Sequence, residues 1–459
     1  MQVTARLARF IVDTGYGQMP AEAIASAKNA FLDTLGVALA GSREPAAKII
    51  TGLIRKLGGE PKAGVIGERL RASAPHAAWA NAIMAHALDY DDDIGVGYGH
   101  PSTVIVPAVL ALGEELGSSG RDVIEAYVLG VEAWFKVARA MPRLHTLGWH
   151  PTGVFGALGA AAASAKLLKL DVDQTMMALG LAGSESAGLT QNLGTMTKSF
   201  HAGNAARSGI VAAMLAKEGY TATRSILEGE LGFAAALCGA GKVDVAKMVE
   251  NLGAPFAVVS PGINVKNYPC FYSAHKSIDA MLHLIAEHDI TPADVAAVDC
   301  RVPARITKVL FYSEPRTELE AKFSMQFFMA VALVDRKLGL AQFTNAKVSD
   351  PVIRGLMKKV TMSVHEGIDN HDAPEPPDVV TVTLNDGSRI SHAVNTARGH
   401  ADTPLSTEEL RGKFRDCAGL VRNEGDVNRL IELLAKLEEL EDLGGLTGIL
   451  CQSAAVVHV

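Results

Sequence analysis

The 459-residue chain exceeds the usual span of one domain, and its 48% hydrophobic and 20% charged residues describe a folded rather than a disordered protein. A net charge of −7 with no Lys/Arg-dense stretch excludes an extended phosphate-binding surface, so nucleic acid is not an expected partner. Five scattered cysteines without a CxxC pair argue against a disulfide framework, structural zinc or an iron–sulfur cluster.

The opening MQVTARLARFIVDTGYG is interrupted by Arg6, Arg9 and Asp13 before an apolar signal core could form. The longest uncharged alanine-rich run, 151–165, is too short and too glycine-rich to span a bilayer. A cytoplasmic protein without a membrane partner is therefore expected.

From there to about residue 255 the apolar positions recur at helical spacing. Pro20 opens a run that closes at Gly41, a candidate C-cap, and further runs follow at 74–90, 103–117, 120–141, 152–169, 173–183, 201–218 and 243–252. Most are too apolar for surface helices, which predicts a multi-layer bundle. Beyond 255 an irregular Gly/Pro segment precedes a helix near 273–288 and four β-like runs, VAAVDCRV, KKVTMSVHE, VVTVTL and SRISHAV. Asn385-Asp386-Gly387 between the last two is a hairpin signal. Ser406 with Glu409 resembles a capping box that restarts helical structure. The expected fold is mainly α: an all-helical domain of residues 1–258 and 402–459, and a smaller α+β lid domain of residues 259–401.

Twice a His-Pro-hydroxyl tripeptide opens a helical run: His100-Pro101-Ser102 and His150-Pro151-Thr152. Proline suits the first helical position, so each histidine is predicted at a helix mouth, where backbone N–H groups and the positive dipole end favour an anion. Simple capping is the plain alternative. The acidic run Asp89-Tyr90-Asp91-Asp92-Asp93 ends one helix before the loop GVGYGH. Carboxylates this close repel, so they need raised pKa values or neighbouring cations; a solvated acidic turn is the competing reading. An aspartate-rich Mg²⁺ motif does not fit, because its carboxylates stand one helical turn apart and face a second acidic helix.

Lys198 precedes a helix with small residues at Gly203 and Ala205 that would let its ammonium reach a cavity, and Lys266 sits where the helical region hands over to the second domain. Two histidines, two lysines and a carboxylate cluster suit proton transfer beside a carboxylate, with cations gripping the acid groups and a histidine moving the proton.

LDTLGVALAG, AHALDYDDD, GHPST, GWHPTG, GTMTKSFHAGNAARSG, VKNYPCFYSAH and EAKFS, in this order, resemble blocks of the MmgE/PrpD family. The resemblance runs from the N-terminus to about residue 414. It implies a large helical domain with an α+β lid, a homodimer, an active site between domains and no metal or other cofactor. The family contains 2-methylcitrate dehydratases, cis-aconitate decarboxylases and iminodisuccinate epimerases, so a lyase or epimerase for a small di- or tricarboxylate is implied.

Carried over, Asp89, His100, His150, Lys198 and Lys266 are the catalytic set. His100 is the general acid/base and Asp89 its orienter or a second acid/base. His150, Lys198, Lys266 and Asp93 line the substrate. Asp93 stands where the decarboxylase branch has a hydroxyl residue, and a carboxylate there would repel a tricarboxylate. A 2-methylcitrate dehydratase-like lyase is the leading reading. Decarboxylation and epimerisation are its alternatives, and a non-catalytic carboxylate binder is the reading from a different class.

Overall fold

The computed structural model describes residues 2–95, 99–365 and 376–453. The fold is mainly α, and the chain divides into two compact units. The first comprises Met1–Asn192, Met196–Val265 and Ser406–Val459, and the second Leu193–Thr195 and Lys266–Leu405.

In the first unit the long helices are α1 (Val3–Asp13), α2 (Ala21–Gly41), α3 (Pro45–Leu57), α4 (Ala74–Ala87), α5 (Ser102–Leu116), α6 (Gly120–Ala140), α7 (Pro151–Leu167), α8 (Val172–Glu185) and α9 (Thr197–Lys217). α7 is buried around its whole circumference, as its all-round apolar sequence requires. Small residues let its neighbours close in: a Cβ on Gly209 of α9 would lie 2.4 Å from Ala160 Cβ. Among the described residues no helix is long and apolar enough to cross a membrane.

Several expectations shift. Gly41 is not a left-handed cap; it is the last residue of α2, with Ser42 capping in the right-handed region. Its lack of a side chain serves packing, since a Cβ there would fall 2.0 Å from the Met84 carbonyl oxygen. The run at 243–252 yields only a 3₁₀ turn, Val245–Val249, whose N-cap Asp244 accepts from Ala246 N. The run closes early at Asn251, which takes a left-handed φ of 50°, so too few residues remain to offset the cost of nucleating an α-helix. α1 and α3 lie outside the predicted runs. The centre of GVGYGH, residues 96–98, lies outside the described residues.

The second unit carries a four-stranded sheet of β1 (Val295–Val302), β2 (Val360–Val364), β3 (Asp378–Leu384) and β4 (Arg389–Val394), in the order β2-β1-β3-β4. β1 pairs parallel with β2 and antiparallel with β3, and β3 with β4 antiparallel. The predicted hairpin turn is present: Leu384 N donates to Ser388 O, and Gly387 takes φ 85°, a conformation that glycine adopts without strain. The helix expected near 273–288 spans His275–His288, and helix Met325–Asp335 is buried beside it in the same apolar core.

The Ser406 capping box is formed, with Ser406 N donating to Glu409 Oε2 and Glu409 N to Ser406 Oγ. The helix it opens, Thr407–Ala418, is fastened to the first unit by Lys413, whose Nζ lies 2.6 Å from Asp33 and donates to the Tyr90 carbonyl. That bond ties the C-terminal segment to the acidic run.

Candidate active site

Four helix ends of the first unit converge. α4 supplies His86 in its last turn, and the chain then turns sharply at Asp89, which takes φ 53°. Aspartate is among the few residues that tolerate this left-handed geometry, and here it ends the helix earlier than the predicted residue 90. His150 is the N-cap of α7 with Pro151 at its first position, as expected. At α5 the register is one residue later: Pro101 is the cap and His100 precedes it. α9 begins at Thr197, so Lys198 lies within its first turn rather than before it. A lysine opposes the helix dipole at that end, and the Asp89 carboxylate 3.2 Å away offsets it.

The α5 mouth is filled by a carboxyl of the chain itself. Asp92 accepts from Ser102 N at 3.3 Å and from Ser102 Oγ, and Tyr127 Oη lies 2.7 Å from that hydroxyl. Burial, then the charges of Asp33 and Asp91, push the Asp92 carboxyl well above its ordinary range, against the opposing hydrogen bonds from Ser102. Three of the four carboxylates thus separate: Asp92 turns to Ser102, Asp89 meets Lys198, and Asp91 meets His86 at 2.7 Å.

His100, His86, His150 and His201 follow one another ring to ring, with centroids 5.0, 5.9 and 5.2 Å apart along the row. All four are buried. His100 Nδ1 lies 2.5 Å from the Asp92 carbonyl, which can only accept, so Nδ1 carries the hydrogen and Nε2 is left as the exchanging nitrogen. His150 Nδ1 lies 3.0 Å from His201 Nδ1, one donating and the other accepting. Burial foremost, with the charges of Lys198 and the neighbouring histidines, holds His150 well below the usual imidazole range. Burial and the charges of His86 and Lys198 lower His201 to about 4. His86 is also lowered, mainly by burial and against the pull of Asp91.

Asp89, His100, His150 and Lys198 therefore share one buried cluster. Asp93 stands next to it in a short ladder, opposite Asn264. Lys266 belongs to the second unit and is fully buried. Sequence reasoning did not single out His86 or His201, and took Asp91 and Asp92 only as members of the acidic run. A local signal existed for His201, which follows Lys198 by three residues, one turn of α9. Among the described residues no group of three His, Cys, Asp or Glu side chains is placed to hold a metal ion.

Residues 5–246 match the MmgE/PrpD N-terminal domain and residues 268–439 the MmgE/PrpD C-terminal domain. The chain belongs to the MmgE/PrpD family. Among its curated relatives is a cis-aconitate decarboxylase of Mus musculus, 30% identical over 93% of this chain and 89% of the relative. A cis-aconitate decarboxylase of Homo sapiens is 29% identical over 98% and 94%, and one of Aspergillus terreus 27% identical over 98% and 96%. These relatives are carboxy-lyases by name, and the lyase reading of this MmgE/PrpD chain stands.

Proposed function

We propose that this MmgE/PrpD protein is a carboxy-lyase for a small tricarboxylate, with cis-aconitate the first substrate to test. The observation that carries the reading is His100: its Nδ1–H is held by the Asp92 carbonyl, so its Nε2 is the nitrogen that gains and gives the proton, one ring away from His86, which contacts Lys198. In decarboxylation the C–C bond to one carboxylate breaks, CO₂ leaves, and the electron pair is taken up by a proton delivered to substrate carbon. His100 delivers it. Lys198 and His150 hold the remaining carboxylates, and Asp89 sets the charge balance around Lys198.

The names of the relatives favour decarboxylation over the dehydration weighed first in the sequence. Dehydration remains the second reading because Asp93 stands where the decarboxylase branch of the family has a hydroxyl residue. The same reading carries a homodimer, supported by the family blocks and by the exposed apolar stripe Ile49, Leu53 and Leu57 along α3, and a cytoplasmic setting, supported by five cysteines none of which forms a disulfide.

Proton NMR of cis-aconitate, 2-methylcitrate, citrate and iminodisuccinate incubated with the protein in D₂O tests it. CO₂ loss from cis-aconitate with deuterium entering the product is expected. Water exchange or elimination on citrate-type acids alone would assign dehydration instead, and binding of all four without turnover would assign a non-catalytic role.

A further inference from the structure

His86 touches more of the cluster than any residue expected from the sequence. Its Nδ1 lies 2.7 Å from Asp91 Oδ2 and its Nε2 2.8 Å from Lys198 Nζ, and its ring neighbours both His100 and His150. Lys198 in turn reaches Asp89 at 3.2 Å, so Asp91, His86, Lys198 and Asp89 form one continuous buried chain of hydrogen bonds.

The direction of that chain follows from donor chemistry. An ammonium has no acceptor, so Nε2 of His86 must accept from Lys198 and the ring hydrogen must sit on Nδ1, donated to Asp91. A hydrogen on Nε2 would point a donor at a cation. We propose that His86 is the positioning residue of this site: Asp91 fixes its neutral Nδ1–H tautomer, and that tautomer holds the Lys198 ammonium in place. The groups facing the imidazole are Asp91, Asp89, Lys198, His100 and His150, and an extra positive charge on it would be buried against the Lys198 ammonium, with only Asp91 and Asp89 to offset it. Its lowered pKa agrees with that neutral state. The inference rests on reading Lys198 as the grip on a substrate carboxylate.

Three variants and one spectrum test it. His86→Phe is expected to raise KM about tenfold or more with a smaller change in kcat, since it loosens a binding cation rather than the proton donor. His86→Gln, whose amide carries both an acceptor and a donor, is expected to recover most of that loss. Two-bond ¹H–¹⁵N correlation on histidine-labelled protein, with His86 assigned by its disappearance in His86→Gln, should show the Nδ1–H tautomer. Asp91→Asn, which can offer a donor instead, should shift His86 toward Nε2–H and raise KM.

An Nε2–H tautomer in the wild type, or His86→Gln no better than His86→Phe, overturns the proposal. If His86→Phe does not fold, the wild-type and Asp91→Asn spectra decide alone. Lys198→Met with an unchanged KM would overturn the role given to Lys198, a failure distinct from a wrong tautomer.

Discussion

His201 gives the sharpest test of how dry the histidine row is. An ordinary histidine takes up a proton near 6.5, whereas folded His201 does so only at about 4. Between these values the unfolded chain binds a proton that the folded chain refuses, so stability rises with pH and is lost as pH falls from 6.5 toward 4. At one pKa unit per about 1.4 kcal/mol, and with some discount for residual solvation, the single residue costs about 2 kcal/mol of stability between roughly pH 7 and pH 4.5.

His201→Gln removes the titration while keeping a side chain able to meet His150 Nδ1. Urea unfolding of both proteins at the two pH values isolates the difference, whatever the variant does to stability at neutral pH. Wild type should lose about 2 kcal/mol more than His201→Gln on acidification. Equal losses would show that His201 titrates normally, and the description of a desolvated row would be wrong.

Asp92 carries the opposite sign, because a carboxyl with a raised folded pKa keeps a proton that the unfolded chain gives up, so its contribution falls as pH rises from 3.8 through its folded value. Asp92→Asn, an isostere of the neutral acid, should change stability by less than about 1 kcal/mol near neutrality, whereas Asp92→Ala should cost about 1–2 kcal/mol by uncapping α5, both read by urea unfolding. Gly41→Ala must push α2 from α4, since backbone rather than a flexible side chain lies 2.0 Å from the new Cβ, and a loss of about 3 kcal/mol or more is expected in the same measurement. Asp93→Ser removes the charge that opposes a tricarboxylate, and steady-state kinetics on cis-aconitate should show KM falling about tenfold.

How far the sequence reached depended on the kind of signal. Helices α2 and α4 to α9 were legible because their apolar residues repeat at the helical period, and the β3–β4 hairpin because Asn385-Asp386-Gly387 encodes its turn; α1 and α3 were missed. Pro151 marked the start of α7 to the residue, whereas Pro101 misled by one position because the Asp92 carboxyl, not the proline, organises the first turn of α5. Gly41 looked like a cap because glycine has two uses at a helix end, and only the approach of α4 distinguishes them. His86 and His201 escaped notice because each sits in a continuous helix with no local anomaly; their importance comes from pairing with Lys198 and His150 across α4, α7 and α9. Those contacts are long-range, and only the three-residue step from Lys198 to His201 within α9 left a local trace.

The central claim is that His100 moves the proton. Its most direct test is turnover of cis-aconitate by wild type and His100→Ala, followed by NMR in D₂O with circular dichroism confirming that the variant is folded. A loss of about 10²–10⁴-fold is expected, together with loss of deuterium incorporation. Unchanged turnover and deuterium uptake in folded His100→Ala would contradict it.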